Sequence, residues 1–173
     1  LKAIKEYKTK NDTLSKKLIC DIHKIISQDN MDEDYIIGEY RTKANEILSS
    51  NQKILFTPPH PDIMQDMMNT LIEFMKDDTK DMLSKIISFH FLFAYIHPFD
   101  DGNGRTVRIL FSYLLKNNGY DILYYAPLSN QINKNLNKYY DAFVNVEQSE
   151  NASQGSFDMT YFMYYILDML LKS

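Results

Sequence analysis

Residues 82–96 carry apolar side chains on nearly every face, among them Met82, Leu83, Ile86, Ile87, Phe89, Phe91, Leu92 and Phe93. A helix that is apolar all round has no side to give to water, so the rest of the chain must enclose it. A second stretch of the same kind, Val107, Leu110, Phe111, Leu114 and Leu115, ends near Asn118-Gly119, where a helix stop is expected. These two segments dictate a fold built around a buried helix pair, joined by a short polar segment.

With 173 residues, the chain is most simply one domain, residues 1–173, with enough length for a substantial core. Hydrophobic residues make up 45% and charged residues 24%, which argues against disorder. The formal net charge of −4 argues against a broad nucleic-acid footprint. Lys16-Lys17, Lys134 and Lys138 read as solvated helix faces. The single cysteine, Cys20, excludes a disulfide framework and reads as a lone buried thiol, in keeping with a reducing cytoplasm. No uninterrupted apolar stretch is long enough to cross a bilayer, so no membrane partner is expected. The first residue is Leu1, and the expectation is a processed or truncated chain.

Most of the remaining spacing is helical. Leu14, Leu18, Ile22, Ile25 and Ile26 share a face, with Asp12 or Thr13 as the cap. Met64, Met67, Met68, Leu71 and Met75 repeat the pattern behind Pro61, a residue suited to a first helical turn. Helices are also expected at about 130–147 and 157–171, with a polar loop at Ser149–Gly155. One region departs from this: Tyr40–Leu48 and Lys53–Thr57 read as two strands around Ser49-Ser50-Asn51-Gln52, stopped by Pro58-Pro59.

The segment joining the two apolar helices is His97-Pro98-Phe99-Asp100-Asp101-Gly102-Asn103-Gly104-Arg105, with Arg108 beyond it. Pro98 disfavours a helical His97 and ends the first helix there. Gly102 and Gly104 allow close backbone approach, and the second helix, starting at about Gly104 or Arg105, turns its free N–H groups on the loop. Arg105 and Arg108 oppose the helix dipole and make better sense facing a multiply charged anion. Asp101 is then the odd charge, which a Mg²⁺ ion shared with phosphates would resolve. Asn103 offers a donor to a phosphate oxygen, and Phe99 reads as a plug into the core. His97 is the one side chain here able to take a proton near neutral pH. His90, one heptad earlier, reads as a hydrogen-bonded core histidine; His23 and His60 carry no signal.

This segment resembles the signature of the Fic domain family, His-x-Phe-x-(Asp/Glu)-Gly-Asn-Gly-Arg-x-x-Arg, with every defined place filled. Gly38-Glu39-Tyr40-Arg41 and Phe56-Thr57-Pro58-Pro59 resemble the ends of the family's hairpin flap, about residues 40–57, and Tyr139-Tyr140 a tyrosine pair of its later helix. The resemblance implies an all-α fold with a β-hairpin flap, and transfer of AMP from ATP to a Ser, Thr or Tyr hydroxyl of a target protein or of the chain itself. It makes His97 the base and Asp101 the Mg²⁺ ligand. Phe99, Gly102, Asn103, Gly104, Arg105 and Arg108 then build the nucleotide site, Arg108 at the γ-phosphate, and Tyr139 lines the adenine pocket. A relative with Lys at the place of Gly104 acts as a kinase, so Gly104 favours nucleotidyl transfer. The flap would dock a target protein by adding a strand.

The family's inhibitory motif, (Ser/Thr)-x-x-x-Glu-(Gly/Asn), fails at its single candidate, Thr42 to Glu46, because Ile47 follows. The brake is therefore expected upstream of Leu1 or on a separate antitoxin, and a homodimer is left open. Three other readings remain: transfer of a different nucleotide or phosphate-linked group, removal of AMP, and an inactive nucleotide- or partner-binding module.

Overall fold

The computed structural model describes residues 13–28, 35–48, 51–120, 128–148 and 156–172. Among them are seven helices and one small hairpin: α1 (Lys16–Ser27), β1 (Ile47–Leu48), β2 (Ile54–Phe56), α2 (Pro61–Phe74), α3 (Met82–Ile96), α4 (Asn103–Asn117), α5 (Leu128–Lys134), α6 (Leu136–Glu147) and α7 (Thr160–Leu171). No described helix is long and apolar enough to cross a membrane.

Helix α3 is the hub, packed against α2, α4 and α7. Phe89, Phe91 and Phe93 are each fully buried. Burial of one such side chain stabilises the fold by about 1.5–3 kcal/mol. Around Phe91 the rings of Phe143, Phe162 and Phe157 lie with centroids 5.2, 5.4 and 5.5 Å away, tying α3 to α6, to α7 and to the segment before α7. The one cation inside this apolar helix, Lys85, is 1% exposed. Its Nζ donates to the carbonyls of Met75 and Asp77 at 3.0 and 2.5 Å, supplying partners just past the end of α2 that the helix itself cannot provide.

Several boundaries differ from the sequence expectation, each for a local reason. Helix α1 is capped by Ser15, whose Oγ accepts from the Leu18 N–H at 3.3 Å, rather than by Thr13; Asp12 lies outside the described residues. Helix α4 begins one residue early, at Asn103, because Gly102 in a left-handed conformation (φ 76°) supplies the cap. The expected helix over 130–147 is two helices, broken at Asn135 (φ −152°), whose side chain accepts from the Lys138 N–H and restarts the helix. Helix α7 starts at Thr160, after Asp158 Oδ1 takes the Thr160 N–H at 2.9 Å. The expected loop 149–155 lies outside the described residues. Cys20 is only partly enclosed, and burial pushes its thiol up to about 11.

The strand expected over Tyr40–Leu48 shortens to Ile47–Leu48. It pairs antiparallel with Ile54–Phe56 through Ile47↔Phe56 and Leu48↔Ile54, with an irregularity between. Tyr40 and Arg41 leave the ladder because they are buried, at 5% and 2% exposure, and the Arg41 N–H donates to Pro98 O at 2.8 Å. That backbone is paired with the loop after α3, not with a strand.

Candidate active site

The loop between α3 and α4 starts with a strained residue. His97 takes the left-handed conformation, φ 53° and ψ 61°, while its N–H still closes on Phe93 O at 3.0 Å. Pro98 blocks continuation of the helix, and a non-glycine residue stays in this region only when its surroundings hold it. Arg41 is the holder. Its Nε donates to His97 O at 2.8 Å, and its other guanidinium nitrogens to Lys43 O at 3.0 Å and Pro59 O at 2.5 Å. One buried guanidinium thus joins the base of the flap to the carbonyl of His97.

Three further contacts set the rest of the loop. Phe99 is fully buried, stacked on the His23 ring at 3.7 Å and 4°, with Tyr40 edge-on at 5.4 Å. It is the core plug expected from its polar neighbours, and at 0% exposure it is closed to any ligand. Asn103 is 2% exposed; its Oδ1 accepts from the Phe99 N–H at 2.9 Å and its Nδ2 donates to Phe99 O at 2.8 Å. The amide expected to serve a phosphate instead clasps the loop. Gly102 sits where an added Cβ would lie 3.1 Å from Ser27 Oγ and 3.2 Å from His23 Nε2, so its role is close packing rather than ligand contact.

His23, which carried no signal in the sequence, is the hidden support. Its Nδ1 accepts the Gly38 N–H at 3.0 Å, which makes Nε2 the protonated nitrogen that donates to Asp101 O, also at 3.0 Å. Burial holds this ring below the ordinary histidine range. The available hint was positional: Ile19, His23 and Ser27 follow at i, i+4 and i+8, and all three are buried.

The result is a helix start with unoccupied donors. Helix α4 has no side-chain cap bond at its N-terminus. Thr106 N and Oγ1 both turn back to Gly102 O at 2.9 Å, leaving the earlier N–H groups of the first turn facing the loop. Asp101 and Arg105 flank this end, with side chains 54% and 35% exposed and 3.5 Å apart, a loose pair that a ligand can separate. The Arg108 Nη1 lies 3.3 Å from where a Cβ on Gly104 would stand, so any larger residue at 104 would crowd that guanidinium.

His97 lines two cavities. One, of about 340 Å³, is lined by Asn103, Gly104, Arg108, Tyr139 and apolar residues of the hairpin and α6. The other, of about 600 Å³, runs past Asp100 and Asp101 along Thr42–Ile47 at the root of the flap. The His97 Nδ1 lies 3.3 Å from the Ala94 carbonyl, which can only accept. The proton therefore sits on Nδ1, and Nε2 keeps its lone pair. Burial, opposed by the Ala94 bond, holds the ring down to about 4, so it is neutral at physiological pH.

Tyr139 forms part of the first cavity's wall, but its hydroxyl is engaged at 2.8 Å with His90 Nε2. His90 is fully buried and held down to about 3, chiefly by burial, which makes it a neutral core histidine and not a metal partner of His97. Among the described residues, no three His, Cys, Asp or Glu side chains converge as a preformed metal cage. Asp101 alone, exposed and oxygen-donating, fits an ion such as Mg²⁺ that takes its other oxygens from phosphates and water.

Comparison with known proteins places this loop in context. The Fic/DOC family matches residues 13–115. A probable protein adenylyltransferase of Aquifex aeolicus is 31% identical over 145 residues, covering 83% of this chain and 40% of the relative. The protein adenylyltransferase Fic of Nematostella vectensis is 31% identical over 86 residues, 48% of this chain and 19% of the relative. The chain thus spans less than half the length of these relatives. Among solved structures, a Fic family protein from Desulfovibrio desulfuricans superimposes with a TM-score of 0.78 at 25% identity, covering 98% of this chain and 47% of the other. A Fic domain containing signaling protein from Bacteroides thetaiotaomicron, at 21% identity and a TM-score of 0.74, shares the fold. The matched span runs from α1 through the His97 loop and nearly all of α4, and on it this chain belongs to the Fic/DOC family.

Proposed function

We propose that this chain is a protein adenylyltransferase, moving AMP from ATP to a Ser, Thr or Tyr hydroxyl of a target protein. The observation that carries the reading is His97, whose Nδ1 is held by the Ala94 carbonyl so that Nε2 keeps its lone pair, and which lines two cavities. One is suited to a nucleotide and the other opens on the flap.

In this reading the target hydroxyl oxygen attacks the α-phosphorus of ATP, and its proton passes to His97 Nε2. The bond from the α-phosphorus to its bridging oxygen breaks, and pyrophosphate leaves. The open N–H groups at the start of α4, with Arg105, take up the charge that develops on the phosphates. Arg108 holds the outer phosphate, and Gly104 leaves its guanidinium room to do so. Asp101 would hold Mg²⁺, which when bound supplies neutralising charge to the triphosphate. The target's extended segment docks along the hairpin, where Leu48, Ile54 and Leu55 are 50%, 50% and 62% exposed.

The test is intact-mass analysis of lysate proteins after incubation with ATP and Mg²⁺, beside a His97→Ala control. A mass gain equal to AMP on a target, absent with His97→Ala, is the expected result. A gain equal to phosphate, or a gain that survives in His97→Ala, overturns the assignment. The Asp101 role has its own readout: Asp101→Ala should make ATP affinity indifferent to Mg²⁺.

A further inference from the structure

The carboxylate proposed to hold a metal is itself held by little. The Asp101 side chain is 54% exposed, and its ion-pair partner among the described residues, Arg105, stands 3.5 Å away. An exposed carboxylate without a close donor takes its place from its own backbone. That backbone has an anchor on each side: Phe99 is clasped by Asn103, and Gly102 O takes the Thr106 N–H and hydroxyl. Between the two anchors, His23 of α1 ties the chain by donating from Nε2 to Asp101 O at 3.0 Å. A peptide group is planar, so holding that oxygen also sets the turn into Gly102. The ring has no freedom of its own. It is fully buried, lies on Phe99 at 3.7 Å and 4°, and has its Nδ1 taken by the Gly38 N–H at 3.0 Å. Its Nε2 stands 3.2 Å from where a Cβ on Gly102 would be, so the glycine is what lets the ring come this close.

A buried imidazole is less favourable than an apolar ring of the same size unless both its nitrogens are paired. Both are paired here, and both partners are backbone groups at the site, one at the root of the flap and one in the loop. A phenylalanine at 23 would fill the space against Phe99 but would tie neither. We infer that His23 is a positioning residue for Asp101: by holding the Asp101 carbonyl it fixes where the carboxylate stands, and so sets how much a divalent cation adds to nucleotide binding. This rests on the reading of Asp101 as the Mg²⁺ ligand and deepens it by naming what keeps that ligand in place. His23 touches neither nucleotide nor metal, and it acts through Asp101 alone.

Two variants separate the two bonds of the ring. In His23→Gln the amide N–H reaches as far as Nε2 and still donates to Asp101 O, but the acceptor for Gly38 is lost. In His23→Asn the side-chain oxygen stands near the place of Nδ1 and still accepts from Gly38, but no donor reaches Asp101 O. Both lose the ring against Phe99, so the packing loss is common to them. The experiment is calorimetric ATP binding in Mg²⁺ and in EDTA, read as the ratio of the two affinities. Wild type should give a ratio well above one, and Asp101→Ala about one. His23→Gln should keep most of the wild-type ratio. His23→Asn should lower it by about tenfold, toward the Asp101→Ala value, as loss of a group that orients a metal ligand does. Affinity in EDTA should be the same for both variants. Equal ratios in the two variants would overturn the inference. So would a fall in His23→Asn that is as large in EDTA as in Mg²⁺, which would make His23 a strut of the whole loop. If wild type binds ATP equally with and without Mg²⁺, the metal reading of Asp101 falls, and this inference with it. Should neither variant fold, wild type is read by NMR of ¹⁵N-labelled histidine. The His23 Nε2 proton should then move when Mg²⁺ is added to the ATP complex, and stay in place in Asp101→Ala; a proton indifferent to Mg²⁺ in wild type would overturn the inference.

Discussion

The loop from His97 to Arg105 and the flap from Ile47 to Phe56 face the same cavities but are built on opposite terms. In the loop, polar side chains are tied to backbone: Arg41 to His97 O, Asn103 to both sides of Phe99, His23 to Asp101 O. Phe99 fills the space beneath at 0% exposure. In the flap, two residues pair with three across an irregular register, and Leu48, Ile54 and Leu55 are at least half exposed. A site that must hold reacting atoms needs the first kind of construction. The proposed docking of strands of varied sequence would be served by the second.

The largest effect that could break this contrast comes from His97, the proposed base. His97→Ala should lower transfer by at least 10²–10⁴-fold, the range for a lost general base. ATP affinity should stay within about threefold, as read by labelled-ATP transfer and calorimetry; equal loss in both would make His97 a ligand holder instead. Next is the plug. Phe99→Ala should cost about 3–5 kcal/mol, a fall of roughly 10 °C or more in Tm for a chain of this size. A fall of only a degree or two would mean that the loop does not depend on that buried ring.

Arg41→Met should be smaller in stability, about 2–3 kcal/mol for carbonyls left without their charged donor. It should nevertheless lower kcat more than it raises KM, because it releases the backbone of His97 rather than a substrate contact. A pure stability loss, with kcat unchanged in the folded fraction, would reduce Arg41 to a strut. Acid should act on the same framework. His23, His90 and His97 all sit below the ordinary histidine value of 6.5, the last two at about 3 and about 4. The unfolded chain therefore binds protons that the folded chain refuses. Stability should be full above pH 6.5 and decline as pH falls below it, which Tm measured at pH 7.5, 6.0 and 5.0 would show. A Tm flat down to pH 5 would contradict the burial of these rings. The smallest stability effect belongs to the flap: Leu48→Ser with Ile54→Ser should shift Tm little, within about 0.5 kcal/mol. Labelling of protein targets should drop several-fold while ATP affinity holds.

Much of this site was legible because its parts are contiguous. His97, Asp101, Gly102, Gly104, Arg105 and Arg108 lie in one short run, and their order alone specifies a helix end, a turn and a helix start. Two residues escaped because they act over long separations: His23 reaches Asp101 across 78 residues and Arg41 reaches His97 across 56. His90 is the hydrogen-bonded core histidine the sequence suggests, but its partner Tyr139 stands 49 residues away. None has a local spacing that names its partner. The overlong first strand failed for a related reason: Tyr40 and Arg41 look like strand residues, but the Tyr40 ring packs on Phe99, and the Arg41 N–H and guanidinium are claimed by Pro98 and His97. Asn103 shows the converse, a residue whose place was right but whose amide was drawn to Phe99 rather than to a ligand.

Periodicity and the motif were enough to determine a buried α3–α4 pair with a short loop and a helix start between, since helix formation and helix termination depend on neighbours within a turn or two. The protonated nitrogen of His97, the clasp on the loop and the true length of the flap were decided only by the packed structure. Each depends on which distant group arrives at bonding distance, and that is a property of the assembled core, not of any stretch of chain.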